Sequence, residues 1–369
     1  MQKKLIALAV AGVLAAPLAA QADVEVYGQA RMSVDYNNNN SPVTGDDKNA
    51  LAVSSNKSRI GFKGSEDLGG GLKALWQIEQ GVEFDTGAFA ATARDTFLGL
   101  GGNFGTVVAG KLRTPYRTST ERLDVFMDTK ADYNAIIGSA GASYGTTLGD
   151  KDTNLGNLRA NNALAYVTPS FNGFQGTLAY VTNYSDLLGQ KGDNLPRTTV
   201  EGDKSAYSLS GTYDNGPLYL AAAYESLSKA GLGGGAGTPD TKSWKVGGGW
   251  NFGQGTTIGA VYENMDLGGT QGNRNAWYLS GMHKMDAFNV KAAYGRAGDW
   301  SGAGLGNTGA NYWAIGGGYE LSKTTEAYAL YTQLSNDSAG KYGLESIAGY
   351  SDKNVSSFSL GIKHMFSSK

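Results

Sequence analysis

Short segments in which apolar and polar residues alternate recur along almost the whole chain. In the first of them, Val24–Tyr36, apolar side chains occupy most even positions, whereas the odd positions include Glu25, Arg31 and Asp35. Because successive side chains of a strand point to opposite faces, this pattern predicts a strand with one apolar and one polar face. Fifteen further segments share the pattern, at 57–64, 72–84, 94–100, 106–113, 161–168, 174–182, 205–214, 218–228, 242–252, 256–266, 276–285, 288–296, 311–321, 325–334 and 354–366.

The connections between these segments alternate between short turns and long loops. The short ones are rich in glycine, asparagine and proline. Long polar connections lie at 183–204, 229–241, 297–310 and 335–353, and a much longer one lies at about 114–158. An even number of strands with short turns at one rim and long loops at the other is typical of an outer-membrane barrel, which must close because lipid cannot pair a free sheet edge. We therefore predict an all-β fold, a transmembrane antiparallel 16-stranded β-barrel. On pattern alone, a secreted β-sandwich or solenoid remains the alternative.

The composition excludes several other classes of protein. The chain has 55 glycines, no cysteine, two histidines, 17% charged residues and a mean hydropathy of −0.30. These values are incompatible with a multi-pass helical membrane protein, a disulfide-stabilised scaffold or a thiolate zinc site. The formal charge of −2 gives no electrostatic reason to expect a nucleic-acid partner. We expect no metal and no cofactor.

The first 22 residues have the features of a secretory signal peptide. Lys3 and Lys4 form a positive start, Leu5–Ala16 is an apolar run, and Ala20–Ala22 has the small-residue pattern of a cleavage site. We predict that residues 1–22 are removed and that 23–369 form the barrel. Losing two of the 31 basic residues leaves 29 against 33 acidic ones, a net charge of −4.

Four stretches of the chain closely resemble strands of Gram-negative general porins. They are Asn56–Glu79, Arg94–Leu100 with Phe104–Lys111, Arg159–Phe174, and Gly361–Phe366. Two positions depart from the family pattern: Lys111 stands where an arginine is usual, and Ser367–Lys369 extends past the aromatic residue that normally ends the chain. This extension leaves the efficiency of membrane insertion open.

The resemblance implies a non-enzymatic, water-filled channel in the outer membrane of a Gram-negative bacterium. It would pass small hydrophilic solutes and ions by passive diffusion, assemble as a homotrimer, and contact outer-membrane lipid and lipopolysaccharide. A substrate-selective porin is the main alternative, with Tyr116 and Tyr133 as possible parts of a sugar path. A non-transport adhesin that uses the long loops is a third. The G-x-G-x-x-G match at Gly304–Gly309 precedes no predicted helix, and neither His283 nor His364 lies in a recognisable catalytic motif.

The resemblance also implies a constriction formed by the third long loop, about 114–158, folded into the lumen. Inward positions of the early predicted strands are strongly basic. We expect acids of the loop to face this basic wall across a narrow aqueous gap, where the two signs would create a transverse field. A plain surface loop and solvated lumen charges without a special role are the alternatives. The predicted wall residues are Arg31, Arg59, Arg94, Lys111 and Arg113, and the predicted loop acids are Glu121, Asp124 and Asp128.

Overall fold

The structure is a computed structural model that describes residues 23–42, 49–141, 156–182, 205–228 and 240–368. The predicted signal peptide lies outside these residues. Among them, seventeen strands form one sheet in which each strand pairs antiparallel with its neighbours. The strands are β1 (Asp23–Asn38), β2 (Asn49–Ser55), β3 (Arg59–Gly69), β4 (Leu72–Glu83), β5 (Ala88–Gly102), β6 (Gly105–Arg113), β7 (Arg159–Val167), β8 (Phe174–Val181), β9 (Ala206–Asn215), β10 (Leu218–Leu227), β11 (Thr241–Gly253), β12 (Thr256–Asp266), β13 (Asn273–Met285), β14 (Phe288–Ala297), β15 (Ala310–Glu320), β16 (Thr325–Asn336) and β17 (Asn354–Ser367).

Two of the seventeen strands are halves of one barrel strand. Both β2 and β3 pair with β1, β2 along its second half and β3 along its first. The interruption is at Lys57, whose φ of 55° is left-handed, and Ser58 there exchanges hydrogen bonds with the backbone of Arg31. Because β17 pairs with the other side of β1, the sheet closes. The predicted 16-stranded antiparallel barrel is therefore confirmed.

Most predicted strands coincide with observed ones, but β2 was missed. The pattern began the second barrel strand at residue 57, whereas the structure begins it at Asn49. Leu51 and Val53 in this segment alternate with Ala50 and Ala52, and both project outward with 76% and 56% of their surface exposed. The alternating signal was therefore present, but it was short.

The two faces of the sheet differ as a membrane-spanning barrel requires. In β7, Leu164 is half exposed on the outside, whereas Ala163 and Ala165 are buried on the inside. Aromatic rings also pair on neighbouring strands near both rims, as expected for interfacial girdles. Near the long loops these pairs include Tyr180–Tyr207, Trp277–Tyr294 and Trp313–Tyr331, and near the short turns they include Phe174–Tyr213 and Phe288–Tyr319. Among the described residues, no helix is both long and apolar enough to span a membrane.

The long connection after β6 begins with a short helix, α1 (Pro115–Glu121). The helix starts here because Thr114 caps it, its side chain accepting a hydrogen bond from the Arg117 amide, and because proline suits the first helical position. A single 3₁₀ turn follows at Tyr133–Ala135. This connection, described over 114–141 and 156–158, is called the third loop below.

Candidate channel constriction

The third loop packs against the inward-facing side chains of β9–β16. The Tyr116 hydroxyl donates a 2.8 Å hydrogen bond to Glu263 of β12, and the Tyr219 hydroxyl donates to the carbonyl of Ser119. Apolar loop side chains such as Phe126 form one buried cluster with inward residues of these strands. These contacts hold one side of the loop against β9–β16, and other loop residues contact β1, β3 and β6.

Close approach of the loop depends on glycine in β11. A Cβ atom at Gly247 would lie 2.7 Å from a terminal methyl of Leu123 and 2.8 Å from a methyl of Thr120. A Cβ at Gly249 would lie 2.8 Å from the other methyl of Leu123. The missing side chains therefore provide the space in which the end of α1 sits against the wall.

Four of the five predicted wall arginines and lysines lie near one another on the wall formed by β1 and β3–β6. All four are arginines. Arg59 lies 2.9 Å from Asp128 of the loop, and Arg94 donates to Glu79 of β4. Arg113 binds both Asp95, at 2.8 Å, and Glu121 of α1, at 2.7 Å. Arg31 donates a 2.5 Å hydrogen bond to the carbonyl of Met127 at the loop tip. Each of these four side chains therefore contacts an acid or a carbonyl group.

A β-bulge explains how adjacent residues of β5 both reach the lumen. The register pairs Ile78 with Thr96 and Gln80 with Ala93, so Arg94 and Asp95 together lie opposite the single residue Glu79. A bulge of this kind changes the direction of side chains, so that two neighbouring residues can point to the same face of the sheet. Arg94 consequently binds Glu79 while Asp95 binds Arg113.

Lys111 is not part of this group, which corrects the prediction. Lys111 pairs with Thr96, and two residues along each strand Ala109 pairs with Leu98. The side chains at these four positions therefore point to the same face of the sheet. Leu98 is 65% exposed on the outer face, whereas Val108 of β6 is buried on the inner face. The backbone of β6 therefore directs position 111 outward. Strict alternation along the sequence predicted the same face for Lys111 and Arg113. Arg113, however, lies at the end of the strand, and its side chain bends toward Asp95.

Two of the three predicted loop acids contact the wall. Glu121 bridges Arg113 and Arg117, the latter at 2.9 Å. Asp128 has a left-handed φ of 62° and also accepts from Gln29 at 3.4 Å. Burial opposes ionisation of Asp128, but the charges of Arg59 and Arg31 prevail and hold its pKa well below the usual range.

Asp124 occupies a different place from the one predicted. Its carboxyl group is buried and accepts hydrogen bonds from the amides of Phe126 and Tyr133 and from the Tyr278 hydroxyl, at 2.8–3.0 Å. Burial, together with the nearby charge of Asp132, raises the pKa of Asp124 to about 8. Asp124 therefore holds the loop together and against β13 instead of facing an open gap.

Three charged residues of this region were missed from the sequence. Glu79 and Asp95 lie among the wall arginines, and the fully buried Arg159 lies 2.8 Å from Asp95. Glu79 could have been found, because it alternates in phase with Gln77 and closes the stretch Asn56–Glu79 that resembles porins. The pairings of Asp95 depend on the bulge and on a strand 64 residues away.

Tyr116 and Tyr133, the two possible parts of a sugar path, are also buried. Tyr116 is 0% exposed and Tyr133 is 1% exposed. Tyr133 packs edge-on against Tyr278 with ring centres 5.5 Å apart. Their rings therefore fill the space behind the loop and do not line the passage.

The chain as a whole can now be compared with known proteins. A family model described as Gram-negative porin matches residues 7–339. The chain belongs to the Gram-negative porin family. It is 29% identical to outer membrane porin protein 32 of Delftia acidovorans over 99% of this chain and 100% of that one. It is 32% identical to the major outer membrane protein P.IA of Neisseria meningitidis serogroup C, over 49% and 46% of the respective chains.

Solved porin structures share the fold of this porin. An anion-selective porin from Comamonas acidovorans matches with a TM-score of 0.73 and 23% identity, over 94% of this chain and 100% of that one. OmpT of Vibrio cholerae in a trimer form matches with a TM-score of 0.63 and 19% identity, over 94% and 99%. With the family, these likenesses confirm the predictions of an outer-membrane location and of a channel for passive diffusion. Porins are channels without enzymatic activity.

Proposed function

We propose that this porin is a general diffusion channel whose narrowest point lies between the third loop and the wall arginines. The observation that carries the proposal is the pairing of Asp128 at the loop tip with Arg59 on the opposite wall. This pair is one of the places where the loop contacts the wall, together with Arg31 at Met127 and Arg113 at Glu121. Solutes would pass between the Arg113–Glu121 contact and the Arg59–Asp128 contact, through a field set by these charges.

The local charges favour weak ion selectivity. Four arginines of the wall lie among two acids of the wall and two of the loop, and two of these acids also bind the further arginines Arg117 and Arg159. An ion in the passage would therefore meet both signs within a few ångströms, and neither cations nor anions would be strongly excluded. The four arginines are Arg31, Arg59, Arg94 and Arg113, and the four acids are Glu79, Asp95, Glu121 and Asp128.

A substrate-selective channel is less well supported, because Tyr116 and Tyr133 are buried. Recordings from the purified protein in planar bilayers test the choice. We expect stepwise conductance that rises in proportion to salt and that no single sugar saturates. Conductance that a particular solute saturates would favour a selective channel, and an absence of conductance would favour an adhesin.

We also propose that the barrel assembles as a homotrimer whose apolar outer face contacts membrane lipid and lipopolysaccharide. The small side chain of Ala30 on β1 would let a neighbouring barrel pack closely, whereas the ring of Phe366 already covers Gly28. The trimer form of OmpT, a porin of the same fold, supports this assembly. Native mass spectrometry in mild detergent should show three copies, and spectra that contain monomers alone would contradict the proposal.

A further inference from the structure

A group of apolar side chains lies on the inner face of the barrel, where a water-filled lumen favours polar ones. Phe97 of β5 precedes Leu98, which is 65% exposed on the outer face, so Phe97 points inward. Leu75 of β4 pairs with Gly99, and Gly99 pairs with Val108, so the row across these three strands has no side chain in its middle. The inward apolar residues, called the apolar shelf below, are Leu75, Phe97, Val108 and Val167.

The apolar shelf lies between the wall arginines and the short turns. Phe97 is two residues beyond Asp95 along β5, in the direction of a short turn. Thr106, which pairs with Val167, is the second residue of β6 after that turn. A solute that crosses the constriction from the side of the long loops therefore meets the shelf next.

The shelf forms part of a cavity of about 480 Å³. Ligand cavities in proteins commonly measure about 300–1,000 Å³ and combine apolar walls with a few polar groups. Leu75, Phe97 and Val167 are only partly buried, and all three border the cavity. The hydroxyl-bearing residues Ser65 and Thr106 border it as well. The cavity therefore suits a small solute with one apolar and one polar side.

The charges at this cavity favour a solute without net charge. Lys63 borders the cavity, and its Nζ lies 3.3 Å from Glu25 and 4.8 Å from the ring centre of Tyr27. Asp23 is a second acid at the same cavity. Removal of residues 1–22, as predicted, would add the α-ammonium group of Asp23 and make the two signs equal in number. Neither sign is then in excess, so the cavity has little electrostatic attraction for an ion.

An aromatic ring is the apolar group that gains most from this surface. Rings pack against one another in offset or edge-on geometry, and such pairs are more stable than their buried area alone accounts for. The ring of Phe97 is available for a contact of this kind, with Leu75 beside it. Because the lumen is aqueous, a solute ring that leaves water for the shelf also gains from the hydrophobic effect.

We propose that the apolar shelf is a binding subsite for small uncharged solutes that carry one aromatic ring and a polar group. The ring packs against Phe97 and Leu75, and the polar group points toward Ser65 and the water of the lumen. The subsite holds such solutes briefly after the constriction, which a channel that discriminates by size alone would not do. The proposal rests on the aqueous passage proposed above.

Single-channel recording with N-acetylphenylalaninamide, an uncharged solute with one phenyl ring, tests the subsite. Its addition should cause brief interruptions of the KCl current through the wild-type channel. N-acetylglutaminamide, which is uncharged and lacks the ring, should cause none of comparable duration. Phe97→Gln should shorten the mean interruption by about fivefold, as expected when one aromatic contact is lost and dissociation becomes faster. The matched control Phe97→Tyr keeps the ring and should behave like the wild type.

A variant of opposite effect guards against a general disturbance of the barrel. Thr106→Val replaces a hydroxyl group at the cavity with a methyl group of similar size, so it should lengthen the interruptions. Equal durations in the wild type, Phe97→Gln and Thr106→Val, or equal effects of the two amides, would overturn the subsite. Failure of the channel itself has a different signature, because it abolishes conductance in plain KCl.

Discussion

Arg59 is one of the wall residues that contact the loop, since it lies 2.9 Å from Asp128, and it also lies 3.9 Å from Glu79 of the wall. Arginine is bulky and permanently charged, so Arg59→Ala should both widen the gap and lower its positive potential. We expect single-channel conductance to rise by a factor of up to about two and selectivity to shift toward cations. Reversal potentials in a KCl gradient measure the shift. Arg296→Ala, which breaks the ion pair with Asp337, is the control and should have a smaller effect. An unchanged potential would show that Arg59 does not line the narrow point.

Replacing the partner acid should act in the opposite direction. Asp128→Asn keeps the size of the side chain but leaves Arg59 without its counter-charge, so selectivity should shift toward anions. Glu345→Gln, which breaks an ion pair with Lys57 at 3.5 Å, is the matched control. A shift of the same sign as that of Arg59→Ala would mean that loop displacement, and not local charge, sets the selectivity.

The lowered pKa of Asp128 makes a separate prediction about acid. A group with a lowered folded-state pKa contributes stability above its ordinary pKa of about 3.9 and loses it only as the pH falls through the lowered value. The pair with Arg59 should therefore persist at pH 5. Selectivity of the wild-type channel measured at pH 7 and at pH 5 should agree, and a shift toward anions at pH 5 would contradict the lowered pKa.

Asp124 should respond to pH with the opposite sign. Its pKa is raised to about 8, so the protonated form is favoured in the folded loop. The stability that this group contributes is fully present below about pH 3.9 and is lost as the pH rises toward and through 8. Between pH 6 and pH 9 we expect increasing current noise as ionised Asp124 repels Asp132 and loosens the loop. Asp124→Asn should make the noise independent of pH, and equal noise at both pH values in the wild type would contradict the assignment.

At the scale of elements, the position of the third loop depends on the surface of β11 against which α1 ends. Gly247→Val would place methyl groups where Leu123 and Thr120 now lie, and should push the loop toward the opposite wall. We expect lower conductance from a barrel that still migrates as folded protein in unheated gels. Gly211→Val is the matched control, because a Cβ at that strand glycine meets no atom within 4 Å. Equal conductance of the two variants would show that the loop does not depend on this contact.

The elements also show how far the sequence could be interpreted. Alternation predicted the barrel strands well because the period of two and the turn residues are local properties of the chain. It could not show that Arg94 and Asp95 both face inward, since a bulge depends on the register with β4. Nor could it show that Asp124 is buried, because the hydroxyl that binds it belongs to Tyr278, 154 residues later. The family resemblance suggested the loop and the arginines, whereas the pairing of each arginine required coordinates.

At the scale of the whole molecule, selectivity is a balance between the constriction and the mouths. Residues 23–369 carry a net charge of −4. Long connections contribute several acids, among them Asp186, Asp193, Glu201 and Asp203, which lie outside the described residues. Acids of the wall and the loop partly offset the charges of the four arginines. The constriction therefore counteracts the net negative charge of the chain less than a wall of arginines alone would.

Salt concentration should therefore shift the selectivity. At about 0.15 M salt the Debye length is about 8 Å, so charges at the mouths act weakly on an ion at the constriction. At about 0.01 M it grows to about 30 Å, and the net negative charge of residues 23–369 should then attract cations along much of the path. We expect reversal potentials in a series of KCl gradients to show weak selectivity at high salt and a growing cation preference as salt is lowered. A strong anion preference that persists at low salt would mean that the arginines of the wall outweigh the net negative charge of the rest of the chain.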